Sequence, residues 1–402
     1  MIPWLLAWQI AVASQNRPVT DDEVRRVHQS ALLIDTHNDV TSETVRGLDI
    51  GPRRPRGHTD VARLREGGVG AVFFAAYVAS SFVEGNRGAH RTLEMIDTIR
   101  NDIVGRYPND FTLCLTAGDI EAARRQGRIA ALIGIEGGHA IQDSLRLLRT
   151  YYDLGVRYLT LTHSNTNNWA DSSGDIARAD VKHHDGLTAF GRQVIGEMNR
   201  LGMMVDISHV ADKTFWDVIE TSAAPPFASH SSCRALSGIG RNMTDEMIAA
   251  LARKGGVVQI NFGCEFLSQT SADSSAWGNP ARMRALRERV DKETADPEAR
   301  RQLLRKLMNE DDQKVRPAAL ADVVAHVDHI VRIAGIDAAG IGSDYDGVGC
   351  TPVGLEDVSK FPNLTRALLE KGYTADQIHK IYGGNLLRVM RAAERTARER
   401  RR

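Results

Sequence analysis

Two side chains that can bind a metal ion, His37 and Asp39, follow an apolar run near the start of the chain. They are two positions apart, and residues i and i+2 of an extended strand point to the same face. Both could therefore hold one ion from the end of a strand. A loop histidine beside a capping aspartate shows the same pattern, so this pair alone is a weak signal.

Further histidines and acids recur in the same setting, each at the end of an apolar run. They are Glu136, His163, His209, His230 and Asp344. Any one of them could simply be a polar residue that closes a strand, but so many in one setting predict a shared site. Imidazole and carboxylate groups suit Zn²⁺ and related ions, and the absence of Cys from the set disfavours a structural zinc site.

The number of these side chains exceeds what one open catalytic ion needs. A single carboxylate shared by two ions resolves the excess, and Glu136 is placed to be that carboxylate. Two ions about 3.5–4 Å apart can hold a hydroxide at neutral pH and polarise a carbonyl group. The sequence therefore predicts two Zn²⁺ per chain, bridged by Glu136.

Strands that end together are required to bring these side chains to one rim. The predicted strands cover residues 32–35, 70–78, 130–135, 157–161, 203–207, 226–229, 256–261 and 338–343. The predicted helices cover residues 91–107, 144–154, 187–201, 212–221, 244–254 and 319–334, and several of them end at a glycine. Eight continuously apolar strands that alternate with helices predict an α/β fold, a (β/α)8 TIM-type barrel with its active site at the carboxyl ends of the strands. A doubly wound sheet is the alternative, although no Gly-x-Gly-x-x-Gly fingerprint follows any strand.

The domain organisation follows from the same patterns. Residues 20–395 are predicted to form one domain, and the highly charged residues 277–316 are predicted to be a helical insertion after strand 7. Residues 1–15 resemble a remnant of a signal peptide that lacks the usual basic region, and the alternative is a frayed apolar terminus.

The four cysteines show no metal-binding spacing and permit two disulfides without requiring them. A net charge of zero gives no electrostatic case for a nucleic-acid partner.

These residues resemble the membrane (renal) dipeptidases, zinc metallopeptidases of the amidohydrolase-like superfamily. The resemblance covers nearly the whole predicted barrel. The matching blocks are Asp35-Thr-His37-Asn-Asp39, His58-Thr-Asp60, Gly67-Gly-Val-Gly70, Glu136-Gly-Gly-His139, Leu161-Thr-His163-Ser, Trp169-Ala-Asp171, Ser229-His-Ser-Ser232, Arg241-Asn242, Gly354-Leu-Glu-Asp-Val-Ser-Lys360 and Asn385-Leu-Leu-Arg-Val389.

The resemblance implies a role for each site residue. One Zn²⁺ would be bound by His37, Asp39 and Glu136, and the other by Glu136, His209 and His230. His163 would hold the substrate carbonyl and the oxyanion that follows. Arg241 would receive the terminal carboxylate of a dipeptide, and Asp344 would meet its free amino group and handle the proton passed to the leaving amine.

Other histidines have simpler interpretations, and so does one acid. We expect His139 to pack or hydrogen-bond within its loop, His183 and His184 to be loop residues, and His326 and His329 to be ordinary positions on a helix. Asp346 lies two residues beyond Asp344, but the Ser-Asp-Tyr-Asp-Gly context favours Asp344 as the catalytic acid. Without the resemblance, Arg241 would be read as a loop arginine ahead of a capped helix.

Two departures from the family affect specificity. Mammalian members have Tyr where this chain has Gly263, which predicts a more open pocket, and the insertion at residues 277–316 is longer than theirs and could form part of a lid. The family also accepts a D-residue at the dipeptide's C-terminus.

The sequence thus predicts a binuclear zinc dipeptidase that cleaves free dipeptides, including L-Xaa-D-Xaa, by attack of the hydroxide held between the ions. The alternatives are another amidohydrolase-type reaction, such as N-acyl amino acid hydrolysis, and a non-catalytic metal- or peptide-binding protein. The expected partners are dipeptides and a second copy of the chain in a homodimer. No signal for a lipid anchor is seen. A periplasmic or secreted location is expected, with a cytoplasmic one as the alternative.

Overall fold

A computed structural model describes residues 18–400 of the 402-residue chain, so the predicted signal-peptide remnant at 1–15 lies outside the described residues. In the described part, the strands are β1 (Leu33–Asn38), β2 (Val69–Tyr77), β3 (Phe111–Leu113), β4 (Ile129–Glu136), β5 (Val156–Thr160), β6 (Met204–Asp206), β7 (Val258–Ile260) and β8 (Ala339–Ile341).

The strands pair in parallel, as their continuously apolar sequences predict. The larger sheet has the order β1-β2-β4-β5-β6, with β3 paired to the first half of β4, and β7 pairs with β8 in a second sheet. Successive residues of β2 alternate between two apolar clusters: Ala71 and Phe73 pack in one, and Val72 and Phe74 in the other. Both faces of the curled sheet are therefore buried, and the predicted α/β fold with parallel strands is confirmed.

Residues 226–229, predicted as the sixth strand, form only isolated parallel bridges. Phe227 pairs with Asp206 of β6, and Ala228 pairs with Val258 of β7. Pro226 has no backbone N–H to donate, which shortens any ladder that this segment can make. The three-residue β3 was not predicted, because so short a run carries no readable period.

The helices of the described part alternate with the strands. They are α1 (Asp21–Ser30), α2 (Thr41–Thr44), α3 (Val61–Glu66), α4 (Gly88–Asp97), α5 (Ala117–Arg125), α6 (Leu145–Asp153), α7 (Ala189–Leu201), α8 (Asp212–Thr221), α9 (Asp245–Arg253), α10 (Cys264–Leu267), α11 (Gln269–Ser274), α12 (Pro280–Glu293), α13 (Pro297–Asp312), α14 (Leu320–Ala334), α15 (Phe361–Glu370), α16 (Ala375–His379) and α17 (Asn385–Arg400). Short 3₁₀ turns cover Ser80–Phe82, Glu84–Asn86, Gly138–Ile141, Ile336–Ala338 and Val358–Lys360, and π-helical turns cover Thr98–Gly105 and Lys380–Gly384.

Local sequence sets the helix limits. The side chains of Thr188 and Thr244 accept amide hydrogen bonds at the starts of α7 and α9. Gly202, which follows α7, has φ 88°, a backbone conformation that favours glycine. The helix predicted over residues 91–107 instead consists of α4 and the π-helical turn after it.

One disulfide joins Cys264 to Cys350, whose Cα atoms are 5.5 Å apart, whereas Cys114 and Cys233 are buried thiols. The bond connects the segment after β7 to the loop after β8. The charged helices α12 and α13 lie between these two strands in the chain. Among residues 18–400, no helix combines the length and the apolar character needed to cross a membrane.

Candidate metal centre and substrate site

The carboxyl ends of the strands bring the predicted site residues together. His37 lies near the end of β1, and Glu136 is the last residue of β4. The others follow the ends of strands or of the 227–228 bridge segment; they are Asp39, His163, His209, His230 and Asp344. In the described residues, three groups of these side chains have ligand atoms within 4.8 Å of one another and could hold a metal ion: His37, Glu136 and His230; Glu136, His163 and His209; His37, Asp39 and Asp344.

Glu136 lies at the centre of this cluster, and its two carboxylate oxygens face different partners. Oε1 is 2.9 Å from His209 Nε2 and 3.3 Å from His230 Nε2. Oε2 is 3.6 Å from His37 Nε2, which in turn is 3.1 Å from Asp39 Oδ2. Although burial opposes ionisation, the adjacent His37 and His163 imidazoles and hydrogen bonds from His209 and His230 hold the pKa of Glu136 well below its ordinary value. An ionised carboxylate therefore faces imidazoles on two sides.

Buried hydrogen bonds behind two of the imidazoles orient them. The Tyr158 hydroxyl donates to the Thr36 carbonyl oxygen over 3.2 Å and lies 2.9 Å from His37 Nδ1. Burial raises the pKa of Tyr158, so this hydroxyl keeps its proton. Since that proton is committed to Thr36, the hydroxyl accepts from His37 Nδ1–H, so the neutral ring, which is the form that binds a metal ion, carries its lone pair on Nε2.

His230 is held in the same way. Ser229 Oγ donates to Asp206 Oδ2 over 2.6 Å and lies 2.7 Å from His230 Nδ1, so the Nε2 of His230 also carries the lone pair. Asp206 is fully buried and accepts further hydrogen bonds from the amides of Ser208 and Ser229. Such outer contacts are typical of metal-binding histidines, whose orientation they fix.

The donor atoms fit a bound cation. In residues 18–400, His37 Nε2 is buried and has no hydrogen-bond partner. The Nε2 atoms of His209 and His230 approach each other to 2.9 Å, and both approach an ionised carboxylate oxygen. Nitrogen and carboxylate oxygen atoms this close together need a proton or a metal ion between them, and this nitrogen and oxygen set is one that Zn²⁺ binds.

Asp344 and Asp39 form a second acidic feature beside the cluster. Burial, and then the charges on Asp39 and Glu136, raise the pKa of Asp344 well above its ordinary value. Asn261 Nδ2 donates to Asp344 Oδ2 over 2.7 Å. A Cβ at Gly347 would lie 2.3 Å from Asp344 Oδ1 and 2.4 Å from Asp39 Oδ2, so only glycine leaves these two carboxyl groups uncovered.

Backbone strain marks two of these residues. His209 has φ 69° and Asp344 has φ 62°, a left-handed conformation that is unfavourable for residues other than glycine. Strained backbone of this kind is concentrated at functional sites, where the surrounding structure maintains it.

His163 and Arg241 lie at the edge of the cluster. His163 Nε2 is 3.9 Å from Glu136 Oε1, and burial lowers the pKa of His163 to about 4, so the ring is neutral at pH 7. Arg241 donates to Ser231 Oγ over 3.3 Å and to the His230 carbonyl oxygen over 3.2 Å. Burial lowers the pKa of Arg241 to about 10, which leaves the guanidinium charged at neutral pH.

The remaining histidines that were considered in the sequence have surroundings outside the ligand cluster. His183 and His184 contact the backbone oxygens of Asp175 and Asn167 in their own loop, as expected. His326 lies on α14 and contacts Cys233 N and Leu267 O, and His329 on the same helix contacts Asp245. His139 is buried in the turn after β4, and burial lowers its pKa.

Asp346 lies apart from the ligand cluster and is paired with His58. Its Oδ1 accepts from the His58 amide over 2.9 Å, and its own amide donates to His58 Nδ1 over 2.8 Å. Sequence reasoning did not identify Tyr158, Asp206 or Asn261 as site residues. A buried acid at the end of a predicted strand was the signal available for Asp206.

Comparisons with known proteins show the family of this chain. The family model described as membrane dipeptidase (peptidase family M19) matches residues 21–402. The probable dipeptidase PvdM from Pseudomonas aeruginosa is 25% identical, with a TM-score of 0.80 over 94% of this chain and 98% of that one. A structure described as dipeptidase AC, a metallopeptidase of family M19, is 25% identical, with a TM-score of 0.72 over 90% of this chain and 98% of that one.

A third solved structure shows the same fold at lower identity. It is a metallopeptidase from Rhodobacter sphaeroides bound to a phosphinate mimic of L-Ala-D-Ala, 24% identical, with a TM-score of 0.72 over 90% of this chain and 99% of that one. The family match over nearly the whole chain is the finding that identifies the protein. This chain belongs to the membrane dipeptidase family, peptidase family M19, and is a metallopeptidase that hydrolyses peptide bonds.

Proposed function

We propose that this protein hydrolyses free dipeptides with two Zn²⁺ ions that share Glu136. The observation that carries the proposal is the divided orientation of the Glu136 carboxylate. One oxygen faces His209 and His230 at 2.9 and 3.3 Å, whereas the other faces His37 at 3.6 Å. A carboxylate that bound only one ion would not need imidazoles on both sides.

The ligand sets follow from these contacts. His37, Asp39 and Glu136 would hold one ion, and Glu136, His209 and His230 would hold the other. When bound, a zinc pair supplies Lewis acidity and a nucleophilic water of lowered pKa. Asp206 acts through Ser229 to keep the Nε2 lone pair of His230 directed into the site. Tyr158 contacts His37 directly and does the same for its Nε2 lone pair.

Three further groups would recognise and process the substrate. A neutral His163 can donate a hydrogen bond to the scissile carbonyl without adding charge. The Arg241 guanidinium suits the planar terminal carboxylate of a dipeptide. Asp344, which keeps its proton to higher pH than an ordinary aspartic acid, can meet the free amino group of the substrate and handle the proton passed to the leaving amine.

The specificity that we propose includes L-Xaa-D-Xaa dipeptides. None of the three recognition groups is assigned to the C-terminal side chain, so inversion at that residue would leave their proposed interactions intact. The position of Gly263 is less open than its lack of a side chain suggests. A Cβ there would lie 2.8 Å from Phe266 Cδ2 and 2.9 Å from Val348 Cγ1, so these side chains already fill part of the space.

The architecture that we propose is one closed (β/α)8 barrel in a single domain over residues 20–395. The bridges from β6 to Phe227, from Ala228 to β7 and from Asn38 to Tyr345 link the two sheets into a ring of parallel neighbours, which supports closure. The charged segment 277–316 would then be a helical insertion after the seventh barrel strand.

A periplasmic or secreted location is also proposed, and the Cys264–Cys350 disulfide supports it, because structural disulfides persist in oxidising compartments. A homodimer remains the oligomeric state that the family resemblance favours. Light scattering coupled to size-exclusion chromatography would test it, with a monomeric mass as the contradicting result.

Steady-state kinetics on the four stereoisomers of Ala-Ala and on N-acetyl-L-Ala-L-Ala test the function. We expect L-Ala-L-Ala and L-Ala-D-Ala to be cleaved at rates within about tenfold of each other, a difference of about 1.4 kcal/mol in barrier. D-Ala-L-Ala should be a poor substrate because its free amine is misplaced, and the N-acetyl compound should be poor because it has no free amine. Preferred cleavage of the N-acetyl compound would instead indicate an N-acyl amino acid hydrolase, and strict rejection of L-Ala-D-Ala would contradict the stereochemical proposal.

A further inference from the structure

One short segment after β7, residues 261–267, contacts both of the groups that would recognise the ends of a dipeptide. At one end of the segment, Asn261 donates its side-chain N–H to Asp344 Oδ2 over 2.7 Å. At the other end, the Phe266 ring lies under the Arg241 guanidinium, with 5.2 Å from the ring centroid to the guanidinium carbon. Both contacting side chains are buried.

The contact between Asn261 and Asp344 has a fixed orientation. Asn261 Oδ1 accepts from the Gly263 amide over 2.6 Å, so its amide oxygen is committed and its Nδ2 must face Asp344. The adjacent Phe262 amide donates to the Ser343 carbonyl oxygen over 3.0 Å. The start of the segment is therefore tied to the loop that carries Asp344.

The contact between Phe266 and Arg241 is supported by two hydrogen bonds between the same stretches of chain. Asn242 Nδ2 donates to the Phe266 carbonyl oxygen over 2.9 Å, and Ser237 Oγ donates to the Glu265 carbonyl oxygen over 2.6 Å. The Phe266 ring also packs with Ile239 and Ala272 in a small apolar cluster. The end of the segment is therefore tied to the loop that carries Arg241.

The disulfide closes this arrangement. Cys264 lies between the two contacts, is bonded to Cys350 in the loop after β8, and its amide donates to the Cys350 carbonyl oxygen over 3.1 Å. The segment is thus fixed at both ends and in the middle, and a Cβ at Gly263 within it would lie 2.8 Å from Phe266 Cδ2.

We propose that Asn261 and Phe266 are positioning residues which, through this single segment, hold the amine-binding Asp344 and the carboxylate-binding Arg241 at a fixed spacing in the substrate site. The inference rests on the proposed roles of Asp344 and Arg241. Phe266 acts on substrate binding through Arg241, because an aromatic face beneath a guanidinium orients it. Asn261 acts on turnover, because it holds the acid that passes the proton to the leaving amine.

Two variants and a matched control test the proposal with L-Ala-L-Ala and its C-terminal amide. Phe266→Leu should raise the KM for L-Ala-L-Ala by about threefold to tenfold, the range expected from loss of a cation–π contact, and leave kcat within about twofold. The KM for the amide should be nearly unchanged. Phe262→Leu is the control, since this ring lies on the same segment but packs on Tyr345 and Phe361 instead of Arg241. Phe262→Leu should leave the ratio of the KM for the amide to the KM for L-Ala-L-Ala as it is in the wild type.

Asn261→Leu should lower kcat by on the order of tenfold to a hundredfold, because small displacements of a catalytic group carry costs of that size. It should retain the zinc content of the wild type by elemental analysis, and its KM for L-Ala-L-Ala should change little. For Phe266, an equal effect on the two substrates, or the same effect from Phe262→Leu, would overturn the proposal. An unchanged kcat in Asn261→Leu would overturn the role proposed for Asn261. Absence of dipeptide turnover in the wild type would refute the proposed function itself, which separates the two failures.

Discussion

Removal of one hydroxyl group, by Tyr158→Phe, should weaken zinc binding without changing any ligand. The Tyr158 hydroxyl lies 2.9 Å from His37 Nδ1 and 3.2 Å from the Thr36 carbonyl oxygen, and the side chain is fully buried in β5. In the variant, His37 Nδ1–H has no acceptor, so neither the tautomer nor the ring orientation is fixed. Loss of such an outer contact typically costs tenfold to a hundredfold in metal affinity, or about 1.4–2.7 kcal/mol.

The same change also leaves two buried polar groups unpaired. Each unpaired group costs about 1–3 kcal/mol of folding free energy, so the metal-free variant should also be less stable. Tyr382→Phe is the matched control. Tyr382 is equally buried, and its hydroxyl contacts Thr365 Oγ1 at 2.7 Å, but neither residue belongs to the ligand cluster. The control should lose stability and keep its zinc affinity.

Competition with a chromogenic chelator would measure zinc affinity, and urea unfolding of the metal-free proteins would measure stability. We expect Tyr158→Phe to lower both zinc affinity and stability, and Tyr382→Phe to lower stability alone. Wild-type zinc affinity in Tyr158→Phe would refute the inference that the hydroxyl fixes the His37 tautomer. Equal loss of zinc affinity in both variants would show that general destabilisation is the cause.

Three further predictions concern separate parts of the chain. Asp344→Asn should retain both zinc ions by elemental analysis but lose about 10²–10⁴-fold in turnover, and loss of metal would instead make Asp344 a ligand. C-terminal amidation of a dipeptide should raise the wild-type KM strongly and that of Arg241→Ala little further, whereas equal sensitivity would make Arg241 a structural residue. Burial, and then Asp312, raise the pKa of Glu265 from 4.5 to about 7, so its contribution to stability is full below pH 4.5 and is lost as the pH rises to about 7. In urea unfolding at pH 8, Glu265→Gln should therefore be more stable than the wild type by on the order of 2–3 kcal/mol, and equal stability of the two proteins there would contradict the pKa shift.

Most of the strands and the clustering of the candidate ligands could be predicted from the sequence because one pattern encodes both. Each apolar run had to end at the same edge of a parallel sheet, and a polar residue at that end was therefore a candidate ligand. His37 at the end of β1 and Glu136 at the end of β4 are the clearest cases. Helices with a capping residue and a closing glycine, such as α7, were predicted to within two residues.

The contacts behind the ligands could not be predicted. Tyr158 is one aromatic residue in an apolar strand, and its sequence spacing gives no sign that its hydroxyl reaches His37, 121 positions away. Asn261 reaches Asp344 across 83 positions for the same reason. Such pairs depend on how neighbouring strands are aligned, which is a property of the folded sheet.

The disulfide pairing also could not be predicted from the sequence. Four cysteines without a recognisable spacing left every pairing open, and the Cys264–Cys350 bond exists because the loops after β7 and β8 adjoin. At residues 226–229 the apolar sequence predicted a strand, but the structure has only isolated bridges there. Proline has no backbone N–H to donate, which shortens the strand.

Metal stoichiometry of the wild type and of Glu136→Gln tests the central claim most directly. Both proteins would be purified with excess zinc, dialysed and measured by elemental analysis, with circular dichroism to confirm that the variant is folded. A carboxylate shared by two ions predicts two zinc ions per wild-type chain and reduced occupancy of both sites in the variant. One ion per wild-type chain, or a folded Glu136→Gln protein that keeps two ions and normal dipeptide turnover, would contradict the shared-carboxylate site.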